Sequence, residues 1–136
     1  MKKYLLLLLA LAAFSNCKKE QLSDKQEIVI SKTQFDNAPS DEFNFKSVQL
    51  VGDCLQLVIS YGGGCGDVEV LLIDSGETAE SLPVQRFIRL SLKDNDLCEA
   101  LVEKEMSFDL TPIRISQENQ IMLNLEGWNE TLLYSY

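Results

Sequence analysis

The sequence predicts an all-β chain: a single β-sandwich, immunoglobulin-like or related, of about seven or eight antiparallel strands behind a cleaved signal peptide. Three observations carry this. Short segments alternate between apolar and polar residues with a period of two. Clusters of Gly, Asp, Asn and Pro divide them at spacings of roughly 8–12 residues. Outside the first residues, no stretch holds a sustained helical period.

The elements follow in order. Lys2 and Lys3 precede the uncharged apolar run Tyr4 to Phe14, which is too short to span a bilayer as a stable helix. Ser15, Asn16 and Cys17 come next, so residues 1–16 have the form of a secretory signal peptide. Residues 17–26 are polar and charged and are expected to be a tether, leaving 27–136 as the β-sandwich domain. Glu27 to Thr33 alternates as a short peripheral strand. Asn37 to Asp41 is a turn cluster. In Phe43 to Val51 the alternation slips phase near Ser47, which predicts a bulge. Gly52-Asp53 is a two-residue turn.

The organising strand comes next. Leu55, Leu57, Ile59 and Tyr61 share one face, and the segment runs into Gly62-Gly63-Gly64-Cys65. Val68 to Ile73 is apolar on both faces apart from Glu69, as a short central strand would be, and Asp74 to Glu77 is expected to turn. Glu77 to Pro83 reads as a polar loop. Val84 to Leu92 alternates, with Arg86, Ile88, Leu90 and Leu92 on one face and Phe87, Arg89 and Ser91 on the other. Lys93 to Asp96 is expected to turn. Leu97 to Glu105 fits a helix or a strand; the strand is preferred because alternation continues through Met106, Phe108 and Leu110. Pro112 interrupts the pattern. Ile121, Leu123 and Leu125, a turn at Gly127 to Glu130, then Leu132, Tyr134 and Tyr136 predict a C-terminal hairpin.

Charge and cysteine usage bound the function. Without the signal, ten basic and twenty-one acidic residues remain, a formal charge of −11. Nucleic-acid binding needs clustered Lys and Arg, which this chain lacks, so no nucleic-acid partner is expected. In an oxidising compartment one disulfide is expected among Cys54, Cys65 and Cys98. Cys54 and Cys65 bound a single extended strand, well beyond the about 7 Å between Cα atoms that a disulfide tolerates. Cys65–Cys98 is therefore the first pairing and Cys54–Cys98 the second; the role of Cys54 is left open.

Phe14-Ser15-Asn16-Cys17 resembles the lipobox of bacterial lipoproteins, in which the cysteine is acylated and becomes the mature N-terminus. The usual box has Leu three residues before the cysteine and Gly or Ala just before it; Phe14 and Asn16 depart from that, and ordinary secretion with cleavage elsewhere is the alternative. The resemblance implies lipidation at Cys17 with palmitate-type chains, membrane lipid as a partner, and a bacterial envelope location, the outer membrane first. Several acyl chains exceed the two signals that stable anchoring requires. YGGGC, CEALVEKEMSFDLTPIR and the terminal GW…TLLYSY are further similar to small Bacteroidetes lipoproteins of uncharacterised function, implying a β-sandwich in which the cysteines matching Cys65 and Cys98 recur. That group often has a histidine three residues after the first cysteine, where this chain has Val68; no metal or catalytic role carries over to that position.

The chain contains no histidine, which removes Ser-His-Asp and Cys-His nucleophilic sites and histidine-bound zinc. Gly62 to Gly66 has no following helix or lysine to make a phosphate cradle. Asp94, Asp96 and Glu99 suit a charged hairpin better than a calcium site, and the EF-hand pattern is not met. Trp128 and Tyr134 suit core packing, or a surface for a sugar or peptide. No cofactor, metal or catalytic residue is assigned. The sequence thus predicts an envelope lipoprotein whose domain binds a protein or glycan partner or plays a structural part. The alternative is a small envelope hydrolase or inhibitor using surface carboxylates, and a calcium-dependent adhesion module is third.

Overall fold

The computed structural model describes residues 25–95 and 97–136. Among the described residues the strands are β1 (Gln26–Glu27), β2 (Val29–Ile30), β3 (Phe43–Val51), β4 (Cys54–Gly63), β5 (Val68–Ala79), β6 (Gln85–Asp94), β7 (Ala100–Asp109), β8 (Gln120–Leu125) and β9 (Leu132–Ser135); an α-helix, α1, spans Lys32–Asn37, and Thr111–Ile113 forms a 3-10 turn. They form two sheets, ordered β1-β7-β4-β3 and β2-β5-β6-β8-β9. The inward rows meet in one core: Leu55, Leu57, Ile59, Met106 and Phe108 from the first sheet, and Leu72, Ile88, Leu92, Ile121, Leu123 and Tyr134 from the second. The predicted β-sandwich is what the chain forms.

Most long strands follow the alternation that predicts them. β3 and β4 pair through the Val51–Cys54 turn, and their register shifts between Phe45 and Ser47, at the expected bulge. The ambiguous segment around Leu97 to Glu105 is strand from Ala100 onward, antiparallel to β4 along ten residue pairs. β8 and β9 make the expected hairpin.

Four details differ. The strands are not all antiparallel: β1 runs parallel to β7, β2 to β5 and β6 to β8. The first strand is not one peripheral strand. It crosses from one sheet to the other at buried Ile28, and it starts inside the segment assigned to the tether: Lys25 binds Asp109 at 2.7 Å and Gln26 pairs with Phe108. Asp74 to Glu77 does not turn. β5 continues through it to Ala79 with a register shift between Asp74 and Thr78, and β5 lies second from its sheet edge. The predicted turn at Lys93-Asp94 is instead the end of β6.

The helix was not predicted. Ser31 caps it, its Oγ accepting from the Gln34 N–H at 3.2 Å, and Lys32 pairs with Asp36 one turn on. The sequence signal is Ser31 followed three residues later by Gln34. Six residues with one large apolar side chain do not hold a helix alone. The outer face of β6 holds this one: Arg89 donates to the Phe35 carbonyl and, at 2.7 Å, to the Ala38 carbonyl, while Ser91 donates to the Pro39 carbonyl at 2.7 Å. A cation at the helix C-terminus also suits its dipole. This accounts for the burial of Arg89 and Ser91 on a face that alternation alone marks as solvent-facing.

Candidate functional site

The described residues bring Cys65 and Cys98 together in a disulfide, with their Cα atoms 5.7 Å apart. The bond sits at the end of the β4·β7 ladder, just beyond the Gly63–Ala100 pair, so it joins neighbours within one sheet. Of Gly62, Gly63 and Gly64, only Gly64 has positive φ, at 109°, where a side chain would also press on Val102. Cys54 is fully buried at the start of β4. Cys17 lies outside the described residues, as do the expected signal peptide, residues 1–16, and most of the expected tether. Asp96 of the calcium candidate lies outside them too; Asp94 ends β6, its backbone N–H donating to Asp41 Oδ2 at 2.7 Å.

Tyr134 and Trp128 take different parts. Tyr134 is core, with 1% of its surface exposed. Its hydroxyl donates to Asp53 Oδ1 at 2.8 Å and accepts from Arg114 Nε at 3.1 Å; Arg114 also reaches Asp53 and stacks over the Tyr136 ring, 5.1 Å from its centroid. This knot ties the β3–β4 turn of one sheet to β9 of the other. Burial alone would raise the Asp53 carboxyl, but the bonds from Tyr134 and Arg114 outweigh it and hold Asp53 below the ordinary carboxylate range. Burial, and next the Asp53 carboxylate, push the Tyr134 hydroxyl up to about 12.

The linkage has two limbs. The depressed Asp53 stabilises the fold above the ordinary aspartate pKa, and that contribution is lost as pH falls through the folded value. The raised Tyr134 stabilises below pH 10, its ordinary pKa, and is lost as pH rises toward about 12. Tyr134→Phe is expected to flatten the alkaline loss of melting temperature, and Asp53→Asn the acid loss. Unchanged profiles in both variants would refute the assignment.

Trp128 stands at the other end of the sandwich. It meets Phe45 edge to face at 6.1 Å, and Phe45 meets Phe43 at 5.1 Å with the rings near perpendicular. Gly127, at φ 83°, lets the turn bring Trp128 in; a Cβ there would lie 3.4 Å from the Phe45 ring. These aromatics wall a groove of about 430 Å³ with Asp41, Glu42 and Glu126 on its rim and Leu90 among its lining residues. A second hollow of about 410 Å³ shares Asp41, Glu42 and Asn44 and extends past Tyr61 and Asp94 to Leu101, beside the disulfide. The two make one band across the end of the fold. Among the described residues four carboxylates line it, and none of the lining residues is Lys or Arg. Aromatic faces next to carboxylates, without a histidine, cysteine thiolate or cation, are equipped to hold a cationic or amide-rich group.

Sequence reasoning singled out Trp128 as a surface for ligand but missed Asp41, Glu42 and Glu126. Asp41 and Glu42 precede β3 while Glu126 follows β8, and only the folding of 38–44 across the sandwich end places them together. The chain reaches that position because Ser40 bridges Leu92 on β6 before β3 begins in the other sheet.

No protein-family model and no curated protein matches the sequence. Solved structures share its fold. One is a protein of unknown function, DUF1344, from Bacteroides vulgatus, with a TM-score of 0.61, 17% identity, and coverage of 85% of this chain and 58% of that one. Another is a NigD-like immunity protein from Bacteroides caccae, with a TM-score of 0.62, 11% identity, and coverage of 84% of this chain and 65% of that one. At such identities the likeness is one of fold. This chain spans less than two-thirds of the length of either.

Proposed function

We propose that this is a lipid-anchored protein of the bacterial cell envelope whose β-sandwich acts by holding a partner in the groove at Trp128, without catalysis. The groove's chemistry carries the proposal: aromatic walls and a carboxylate rim, built on strand ends that a packed core fixes in place. The lipobox-like Phe14 to Cys17 supports the anchor. The fold is shared with a protein described as a NigD-like immunity protein, and this supports a non-catalytic domain.

Two measurements test the proposal. Cys17→Ala is expected to abolish acyl labelling and release the protein from membranes; retention without label would end the anchoring claim. A photo-crosslinking residue at Asn129, beside the groove, is expected to give adducts in the native envelope that the same residue at Leu133, half exposed on β9, does not give. Equal adducts from both positions would remove the groove as the binding site.

A further inference from the structure

The groove contains an unfilled position in a β-ladder. On one side of β6 the Val84 and Ile88 carbonyls accept from the N–H groups of Met122 and Glu126, both at 2.9 Å, and the Leu92 carbonyl accepts from the Asp41 N–H at 2.9 Å. Main-chain groups of a strand alternate sides, so every second residue of β6 turns its N–H and C=O this way. Leu90 belongs to that row. β8 leaves the edge after Leu125, where the Trp128 N–H turns back to the Leu125 carbonyl at 3.0 Å, and Ser40-Asp41 takes up the edge only at Leu92. Among the described residues, nothing hydrogen-bonds Leu90 on this side. Leu90 is nonetheless 3% exposed and lines the groove. Buried main-chain groups are almost always paired, so an open pair at the bottom of a groove is a feature a ligand can complete.

We infer that this gap takes a short extended segment of a cationic polypeptide. Its main chain pairs with the Leu90 N–H and C=O, filling the edge between Glu126 and Asp41, and an Arg or Lys side chain lies against Phe45 and Trp128 beneath Glu42 and Glu126. Strand addition supplies affinity through the main chain, while the side-chain environment selects the sequence. Charge complementarity chooses the sign, because among the described residues the lining holds carboxylates and no cation. Ile88 and Leu92 are already paired on this side, so the open stretch is the single ladder position at Leu90, and one residue of the incoming segment pairs there while its neighbours leave along the groove. The inference rests on the proposed binding function and names the partner class of that same groove.

Trp128 is the only tryptophan in the chain, so its emission reports the groove directly. The full acylated chain in a neutral detergent is titrated with a blocked Val-Arg-Val-Arg-Val peptide. A saturable change in emission is expected. N-methylation of the two central amides is expected to weaken binding by about tenfold or more, since it removes main-chain donors and keeps the charge. Glu42→Lys with Glu126→Lys is expected to weaken it by about as much without moving the melting temperature, both side chains being exposed. The inference is overturned by equal binding of the methylated peptide or of spermidine, by tighter binding of Val-Glu-Val-Glu-Val or a neutral oligosaccharide, or by no response up to millimolar peptide. Adducts at Asn129 together with a silent peptide titration would leave the binding domain standing and remove this class of occupant.

Discussion

Asp74→Ala is expected to destabilise the fold by about 3–5 kcal/mol, because it leaves a buried guanidinium without its partner. Asp74 is fully buried and Arg86 is 9% exposed. They meet in a two-pronged contact, Nε to Oδ2 at 2.9 Å and Nη2 to Oδ1 at 2.7 Å, and Asp74 Oδ1 also accepts from the Gly76 N–H at 2.7 Å. The last bond holds the irregular stretch of β5 between Asp74 and Thr78. Planar, charge-assisted pairs of this kind have fixed geometry, so the pair also sets where β5 resumes its register with β6 at Thr78 and Arg86. The pair as a whole need not be net stabilising, since both ions lose their hydration. Asp74→Leu combined with Arg86→Met is therefore expected to recover most of the loss, while Arg86→Met alone is not. Urea denaturation of the three variants decides this. A loss below about 1 kcal/mol in Asp74→Ala would show that water reaches the pair and that it does not organise β5.

The same residues mark the boundary of what the sequence discloses. Alternation exposes β4 and β7 because Leu55 to Tyr61 and Met106 to Leu110 each bury one face over a long run, and that signal is local. The bulge in β3 was legible for the same reason: the phase of Phe43 and Phe45 against Val48 and Leu50 cannot be kept without an extra residue. The composition of Asp74-Ser75-Gly76-Glu77 suits a turn and a bulge equally. What decides between them is Arg86, twelve residues on, and Arg86 looked like an ordinary charged member of its strand. The helix was missed on similar grounds, being fixed by Arg89 from β6. Parallel pairings such as β6·β8 join segments far apart in sequence, and no local pattern records them. The groove falls in this last class. Its aromatic member, Trp128, was legible as a candidate, but its carboxylates come from turns on opposite sides of the chain's crossing between sheets, and its open ladder position exists only relative to β8 and Ser40.

Removing the disulfide, by Cys98→Ser, is expected to cost on the order of 3–4 kcal/mol, from the loop entropy of the 33-residue separation between Cys65 and Cys98. For a domain of this size that corresponds to a fall in melting temperature on the order of 10–20 °C. The topology explains why this bond carries weight. The chain leaves the first sheet at Gly63, builds β5 and β6 in the second, and returns to the first at Ala100. Cys65–Cys98 closes the neck of that excursion, so every conformation of the unfolded β5–β6 hairpin is restricted by it. The groove's second hollow lies at the same neck, between Gly62, Asp94 and Leu101. Loss of the bond is thus expected to loosen the Leu101 side first, seen as faster amide exchange at Leu101 and Val102 than in the body of β7, where Met106 and Phe108 stay packed in the core. Non-reducing peptide mapping of the native protein is expected to give a linked fragment containing Cys65 and Cys98. A Cys54–Cys98 fragment in its place would refute the pairing, and exchange that rises evenly along β7 in the variant would refute the local account of its effect.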